Sequence, residues 1–197
     1  MRPKVTFLDE DLKIKIIDEA RHLLCTLGVE IHNTRVLGLL GDHGAEVDPV
    51  TQHVRLTDNL IDLALSTVPS GFKLYDVAGR QTHDLSGDNV HFTPSSAAIN
   101  ILDNGTIRKP LTADYVNFAK LVSGLPHIHA QSTAFIPADV PEEISDSYRL
   151  FLSLLYCEKP VVTGAFTIEA FDVMRDLQLA VRGSAEELRA KPLTIFS

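Results

Sequence analysis

The sequence has little of what a disulfide-stapled, nucleic-acid-binding or membrane-spanning protein requires. Its only two cysteines, Cys25 and Cys157, lie in apolar runs without CxxC spacing, so neither a disulfide framework nor a cysteine metal site is expected. The 18 lysines and arginines are outnumbered by 26 aspartates and glutamates, and the net charge of −8 argues against nucleic acid or an anionic membrane as a partner. No apolar run approaches the ~20 residues of a membrane span, and acidic residues 9–11 interrupt the N-terminus before any signal-peptide-like run. We therefore expect a cytoplasmic protein.

The short motifs of several enzyme classes are also missing. The sequence has no Ser-His-Asp or Cys-His arrangement, no phosphate-binding loop and no GxGxxG string. His127 and His129 have the spacing that two metal ligands on one face of a strand would need, but no third ligand is close in the sequence. We interpret this pair as structural or solvent-exposed and predict no metal site.

Residues 1–88 predict a mixed accessory region. Apolar residues recur at three- and four-residue intervals in three segments, which predicts helices over residues 9–27, 34–42 and 57–68. Alternating segments at 45–47 and 53–56, and at 72–75 and 81–85, predict two strand pairs. No strand–helix–strand rhythm is present here, and with 45% hydrophobic residues the chain as a whole is expected to fold.

Residues 89–197 follow a different rhythm. Strands are predicted at 90–93, 127–135, 160–165 and 192–196, with a hairpin at Asn104-Gly105 and helices at 112–122, 142–156 and 168–182. Alternation of strands and helices indicates parallel βαβ units and an α/β fold. Because the last strand leaves an apolar edge, the pattern fits either an open four-stranded layer or an unfinished barrel.

Several strings carry a resemblance to a known family through their order and spacing. They are GVEIH (28–32), GAEVD (44–48), VPSGFKLY (68–75), NVHFTP (89–94), STAFIPADVP (132–141), DSYR (146–149) and EKPVVTGAF (158–166). In this order they resemble the corrinoid-dependent trimethylamine methyltransferase family. The last three strings are similar to its glycine betaine methyltransferase branch.

The resemblance implies a fold and an activity. Proteins of this family have a TIM-like (β/α) barrel and move a methyl group from a tertiary or quaternary amine to the cobalt of a separate corrinoid protein. They are longer than this chain, so residues 89–197 are expected to form the first half of a barrel of about four parallel strands, after an accessory region at 1–88. The expected partners are a small amine and a corrinoid protein that supplies the cofactor, with no cofactor held tightly by this chain. A non-catalytic half-barrel that pairs with a second copy through its open edge is the alternative.

The barrel that the resemblance implies directs attention to the carboxyl ends of the strands, where such folds bind their substrates. That rule nominates substrate-binding residues after each predicted strand: Thr93, Ser95, Ser96, Gln131, Thr133, Phe135, Thr163, Phe166 and Phe196. For Thr93, Ser95 and Ser96 a tight turn is an equal alternative. Aromatic residues are of interest because their faces attract a trimethylammonium group. No catalytic residue is assigned.

Three further residues follow the second predicted strand. Asp139 would either orient a cation or cap the helix that follows near residues 141–143, and the cap is favoured because aspartate is a common N-cap. Tyr148 and Arg149 lie on that helix and are expected to be packing and surface residues.

Overall fold

The computed structural model describes residue 3 and residues 5–197, which form two compact units, Met1–Pro69 and Ser70–Ser197. Both units combine helices with short strands, so the protein is a mixed α/β structure, as the sequence predicts. No helix in the described residues is both long and apolar enough to cross a membrane. The two compact units divide after Pro69. The predicted division at residue 88 was drawn between an accessory region and the first predicted parallel strand, and it stays a prediction.

The first unit contains three helices and a three-stranded antiparallel sheet. Its elements are α1 (Glu10–Thr26), β1 (Val29–Glu30), α2 (Thr34–Asp42), β2 (Glu46–Asp48), β3 (His53–Arg55) and α3 (Asp58–Thr67). The central strand β3 pairs with both β1 and β2 and carries the fully buried Val54. Gly28 precedes β1 with a φ of +77°, and a Cβ there would lie 2.3 Å from the carbonyl oxygen of Val54, so only glycine fits.

Side-chain caps fix where the helices of this unit begin. Asp9, Asn33 and Thr57 each accept a hydrogen bond from a backbone N–H in the first turn that follows. The three predicted helices and the strand pair at residues 45–56 are confirmed. The short strand β1 was not predicted, because two residues are too few to show a period.

The second unit begins with two hairpins and continues with alternating helices and strands. Its elements are β4 (Lys73–Tyr75), β5 (Gln81–Asp84), β6 (Ile101–Asp103), β7 (Thr106–Arg108), α4 (Thr112–Ser123), β8 (Gln131–Ser132), a 3-10 turn (Glu142–Ile144), α5 (Ser145–Tyr156), β9 (Val161–Thr163), α6 (Ile168–Arg182), α7 (Ala185–Ala190) and β10 (Thr194–Phe196). Strands β8, β9 and β10 form a parallel sheet in the order β10-β9-β8. An isolated parallel bridge joins Ala98 to Phe135 beside it.

Helices cover one face of the parallel sheet. Leu150 of α5, Val161 of β9 and Met174 of α6 are fully buried together, and Phe196 of β10 packs against them. Successive side chains of a strand point to opposite faces. Val162 therefore lies on the other face, together with its lateral neighbours Ser132 and Ile195.

The β4–β5 hairpin lies against the amino-terminal ends of the parallel strands. The N–H of Tyr75 donates to the carbonyl of Pro192, two residues before β10, at 2.9 Å. The N–H of Val77 donates to the carbonyl of Glu158, three residues before β9, at 2.8 Å. Arg182 donates to the carbonyls of Tyr75 and Val77, both at 3.1 Å. We call this side of the sheet the amino edge.

Two of the predicted parallel strands were wrong in extent. Residues 90–93 form no strand, and the strand predicted at 127–135 is limited to Gln131–Ser132. The cause is local hydrogen bonding, because the N–H groups of His129 and Ala130 both point to the single carbonyl of Phe92, at 2.8 and 3.2 Å. A regular ladder would use successive carbonyls instead. The described residues thus form three parallel strands and one parallel bridge.

Candidate active site

The parallel strands end along one line, which we call the carboxyl edge. Gln131 pairs with Val161, and Thr194 pairs with the same residue from the other side, so the strands run in register and in one direction. Open α/β sheets bind their ligands beyond the carboxyl ends of such strands. The residues that follow the strand ends therefore define the candidate site.

A buried ion pair ties this edge together. Arg149 and Asp146 are 2% and 4% exposed, and Nη2 of Arg149 lies 2.5 Å from Oδ1 of Asp146. Arg149 also donates to the carbonyl of Thr133, after β8, at 3.0 Å and to the carbonyl of Ser145 at 3.3 Å. The other oxygen of Asp146 accepts the backbone N–H of Phe166, in the loop after β9. The pair therefore fixes the loops after two adjacent strands.

Arg149, expected to be a packing or surface residue, is buried, and its guanidinium donates to Asp146 and to the loop after β8. Beside it, Ser145 Oγ is the one buried side-chain atom of this edge that has no hydrogen-bond partner among the described residues. The Ser145 hydroxyl carries no charge, and the two buried charged groups beside it, Arg149 and Asp146, are paired with each other.

Phe166 is the nominated aromatic residue that a ligand can reach most directly. Its side chain is 61% exposed and stands in the loop after β9. Cζ of Arg149 lies 4.8 Å from the centre of its ring, within the range of a cation–π contact. The ring is thus held from one side by the buried ion pair while most of its surface faces solvent.

Four nominated residues lie inside the unit, on the helix-covered face. Gln131 directs its amide towards the carbonyl of Ala119 in α4, at 3.5 Å. The hydroxyl groups of Thr133 and Thr163 lie 3.1 Å apart and are buried. The ring of Phe196 packs against Phe171 with 4.9 Å between ring centres. The structure therefore joins Thr133 to Thr163 but places these four side chains among core residues.

Ser95, Ser96 and Phe135 meet at a separate cavity of about 340 Å³. Its lining consists of Pro94, Ser95, Ser96, Ala97, Ala98, Phe118, Ala134 and Phe135. The ring of Phe135 contacts Phe118 of α4, with 5.0 Å between ring centres. Thr93 is exposed and its hydroxyl donates to the carbonyl of Pro94 at 3.3 Å. The cavity unites these three nominated residues and leaves Phe166 and Phe196 outside its lining.

The strand-end rule missed the side chains on the face of the sheet opposite the helices. Ser132, Val162 and Ile195 form a row across the three strands, opposite the helices. Ser132 Oγ donates to the carbonyl of Ser95 at 3.1 Å, which holds the segment of residues 89–98 beside β8. The alternation of side chains along a strand could have identified this row. If the apolar Val161 faces the core, its neighbour Val162 faces the other side of the sheet.

Asp139 is a cap, although for a different helix from the one predicted. Its Oδ1 accepts hydrogen bonds from the N–H and the hydroxyl of Thr112, at 2.9 and 3.1 Å, at the start of α4. The expected cap of the helix after residue 141 was wrong, because that helix begins with a 3-10 turn after Pro141. Asp139 therefore joins the loop after β8 to α4.

A cluster of three histidine rings lies at the amino edge, on the opposite side of the sheet from the candidate site. The ring centres of His83 and His91 are 4.4 Å apart, those of His91 and His129 are 5.3 Å apart, and those of His83 and His129 are 6.4 Å apart. The predicted pairing of His129 with His127 on one strand face was wrong, because neither residue lies in a strand. Within the described part of the chain, no group of three or more His, Cys, Asp or Glu side chains is arranged to hold a metal ion.

Comparison with known proteins identifies the class to which this arrangement belongs. The fold defines a mixed α/β protein in which three parallel strands end along one edge. The sequence model described as trimethylamine methyltransferase (MTTB) matches residues 1–196. The chain belongs to the trimethylamine methyltransferase family, and the resemblance seen in its strings is confirmed.

Three characterised relatives are similar to the chain over most of its length. It is 26% identical over 195 residues to the glycine betaine methyltransferase of Desulfitobacterium hafniense (strain Y51), which covers 98% of this chain and 40% of that protein. It is 30% identical over 161 residues to the L-carnitine:corrinoid methyltransferase of Eubacterium limosum, over 80% of this chain and 32% of that protein. It is 25% identical over 192 residues to the trimethylamine methyltransferase MttB of D. hafniense (strain DSM 10664 / DCB-2), over 95% and 38% respectively. The chain thus spans well under half the length of each.

Proposed function

We propose that this chain is the amino-terminal part of a methyltransferase that moves a methyl group from a tertiary or quaternary amine, such as glycine betaine or trimethylamine, to a corrinoid protein. The observation that carries the proposal is the match of the family over residues 1–196, together with three relatives that are all named as methyltransferases of such amines. A cytoplasmic location fits the two free cysteines, Cys25 and Cys157.

The fold supports a place for this region within a (β/α) barrel. Strands β8, β9 and β10 are parallel and alternate with helices that cover one face. The bridge between Ala98 and Phe135 is also parallel, so residues 89–98 run beside β8 as a fourth strand of the proposed barrel would. The row of Ser132, Val162 and Ile195 would then face the barrel interior, and residues 1–88 would form an accessory region.

The residues of the carboxyl edge would position the amine. A quaternary ammonium is attracted to the face of an aromatic ring, and Phe166 offers an exposed ring at the end of β9. Asp146 and Arg149 would act through this ring and its loop, because they fix the Phe166 N–H and the end of β8. The other nominated residues, Thr93, Ser95, Ser96, Gln131, Thr133, Phe135, Thr163 and Phe196, stay proposals as ligand contacts.

The corrinoid would come from a partner protein, and when bound it supplies the cobalt nucleophile that accepts the methyl group. Positioning and electrostatics are then the work of this chain. Residues 95–98 carry only small side chains, and three of them are exposed, so a broad planar group can approach the backbone there. This feature fits a partner-borne cofactor rather than one held in a deep pocket.

Methyl transfer and ligand binding by the full chain test the proposal separately. The chain would be mixed with cob(I)alamin and glycine betaine, L-carnitine or trimethylamine, and methylcobalamin would be followed by its absorbance. Binding of each amine would be followed by ligand-observed NMR. We expect binding of at least one amine, and a loss of about tenfold in affinity for Phe166→Ala, in line with about 1–2 kcal/mol for a desolvated cation–π contact.

Phe7→Ala is the matched control, because Phe7 is exposed and lies in the first unit. Equal affinities of the wild type and Phe166→Ala would contradict the assignment of Phe166. If the chain shows neither binding nor methyl transfer with any of the three amines, the result contradicts catalysis by this chain.

A half-barrel that acts by association is the second candidate. Among the described residues, β10 is hydrogen-bonded only on the side of β9, and the other side of Thr194–Phe196 has no strand partner. Unpaired strand edges favour pairing with another chain. We expect concentration-dependent self-association in analytical ultracentrifugation, weakened by Thr194→Pro. The bonds of Leu193 and Ser197 to β9 leave the N–H of Thr194 on the other side of the strand, so this change removes a donor of the open side. A monomer at every concentration tested would contradict this candidate.

A further inference from the structure

The histidine cluster (His83, His91 and His129) connects three separate segments of the second unit. His83 lies on β5, His91 on the segment that leads to the Ala98–Phe135 bridge, and His129 in the loop before β8. His83 is 2% exposed. The cluster therefore lies where the β4–β5 hairpin meets the first parallel segments of the amino edge.

Hydrogen bonds engage the rings of His91 and His129. Nε2 of His91 lies 3.1 Å from the carbonyl oxygen of Asp84, to which it can donate, and 3.4 Å from the backbone nitrogen of the same residue, from which it can accept. Nδ1 of His129 accepts the N–H of Phe92 at 3.0 Å, so this nitrogen carries no proton. The His129 bond is therefore lost when that ring becomes an imidazolium.

Two buried nitrogens of the cluster are unsatisfied. Nδ1 of His91 and Nε2 of His83 have no hydrogen-bond partner among the described residues, although the other nitrogen of His83 lies 2.9 Å from the hydroxyl of Thr82. Protonation would place a charge on a ring that already lies within 4.4 Å of a second imidazole. An added proton therefore meets desolvation and repulsion together.

Charged and titratable groups of both signs lie near the cluster. His127 and Lys159 act on His129 from the loop after α4 and from the start of β9. Along the chain, the nearest carboxylates are Asp84, whose Oδ1 accepts the hydroxyl of Ser86 at 2.6 Å, and the exposed Asp88. Burial and then the charges of His91 and His129 lower the pKa of His83 to about 4. Burial, His91, His127 and Lys159 lower the pKa of His129 as well.

We propose that the histidine cluster is an acid-sensitive latch, which holds the β4–β5 hairpin against the amino edge while its rings are neutral and releases the β5 end when they are protonated. The β4 end has separate anchors, through the hydrogen bonds of Tyr75 and Val77 and through Arg182. Acid would therefore open the hairpin from its β5 side, without first detaching β4.

The direction of the pH effect follows from the lowered pKa of His83. Its unfolded-state pKa is near 6.5, above the folded-state value of about 4, so the unfolded chain binds more protons between these limits. The latch is intact above pH 6.5, and its contribution is lost as the pH falls towards 4. One such group changes the opening equilibrium constant by up to about tenfold per pH unit in that window.

Hydrogen exchange and chemical unfolding of the whole chain between pH 7.5 and 4.5 test the latch. We expect protection in residues 81–92 and 127–130 to fall with pH before protection in β9 and β10 does. His83→Asn retains a polar atom towards Thr82 and removes the titrating ring, so its opening equilibrium should change less than threefold across the same range. The control His22→Asn removes an exposed histidine of the first unit and should behave as the wild type does.

Further measurements cover the case in which His83→Asn does not fold. In the wild type, NMR should show the His83 ring still neutral at pH 5.5, because burial and the neighbouring rings lower its pKa to about 4. An ordinary titration midpoint for His83, near 6.5, would overturn the proposal. Loss of protection at the same pH in all strands would overturn it too. Stabilisation of the wild type by Zn²⁺ at pH 7.5, absent in His83→Asn, would show a metal site instead of a latch.

Discussion

The two edges of the parallel sheet handle buried polar groups in opposite ways. At the carboxyl edge, Arg149 is fully buried as a charge, and Asp146 neutralises it within a set of hydrogen bonds. At the amino edge, Lys159 donates to three backbone carbonyls and Arg182 to three others, and burial lowers the pKa of His83 and of His129. One edge is built around an ion pair, and the other around cations held by carbonyl dipoles.

This difference predicts how each edge fails. A buried ion pair is lost when one partner is removed, because the remaining charge stays in a low-dielectric environment. The histidine cluster is lost when a proton is added, since burial and the neighbouring rings oppose a charge there. The carboxyl edge should therefore be sensitive to substitution, and the amino edge to acid.

Removal of Arg149 should have the largest effect. Arg149→Met leaves the carboxylate of Asp146 buried and unpaired, which costs about 3–5 kcal/mol of stability in comparable pairs. The free energy of unfolding measured in urea should fall by this amount. Arg175→Met is the control, because its pairs with Asp172 and Asp176 are exposed and such pairs contribute less than about 1 kcal/mol.

A second variant separates the lost pair from lost packing. Asp146→Leu together with Arg149→Met removes both charges, and well-packed apolar replacements of buried pairs are often neutral. Most of the stability should return in the double variant. If Arg149→Met alone costs less than about 1 kcal/mol, the contrast between the two edges is wrong.

Lys159→Met should have a smaller effect at the amino edge. The ammonium donates to the carbonyls of Val122, Leu125 and Ile128, each at 2.6 Å, and so ends α4 and shapes the loop that leads to His129. Because a hydrogen bond to a charged group contributes about 1.5–3 kcal/mol and the side chain is only partly buried, we expect a loss of about 2 kcal/mol in urea unfolding.

Lys159→Met also tests whether the charge of Lys159 acts on the histidine cluster. Removing the Lys159 charge should make protonation of His129 easier, because Lys159 is one of the causes that lower its pKa. Lys109→Met, an exposed lysine of the same unit, should leave both stability and the histidine titration unchanged. A wild-type titration of His129 in Lys159→Met would show that the charge of Lys159 does not reach the cluster.

Local signals in the sequence predicted the elements better than the sites. Helix α6 was predicted at its observed bounds, because Thr167 caps its start and Gly183 ends it in the left-handed conformation. The strand at residues 127–135 was overextended, because alternation of side chains does not reveal that two N–H groups share the carbonyl of Phe92. Element type is largely a local property, whereas hydrogen-bond partners are not.

The two polar clusters required tertiary contacts that no spacing reveals. Arg149 has the sequence context of a surface helix residue, and its burial depends on Thr133 and on the loop at Phe166. His83, His91 and His129 meet only after the hairpin folds onto the amino edge. The strand-end rule did find Phe166, because its position follows directly from the end of β9.

The prediction with the smallest expected effect concerns the pH at which Asp114 and the histidine cluster each lose their contribution to stability. In the first turn of α4, Asp114 accepts hydrogen bonds from Arg108 at 2.7 and 2.9 Å and from the N–H of Leu111 at 2.8 Å. The Arg108 bonds, and then the Leu111 bond, lower the pKa of Asp114 from 3.8 to about 2. Its folded-state pKa is below its unfolded-state value, so its stabilisation is present above pH 4 and is lost as the pH falls from about 4 to about 2.

Unfolding midpoints of the wild type and Asp114→Asn, measured between pH 7 and 2, test this order. The difference between the two proteins should be constant down to pH 4 and shrink below it, after the hairpin has already opened between pH 6.5 and 4. Asp172→Asn serves as the control, because its pair with Arg175 is exposed. A difference that shrinks above pH 5 would mean that Asp114 and the histidine cluster titrate together, and the two edges would then not respond to acid as separate structures.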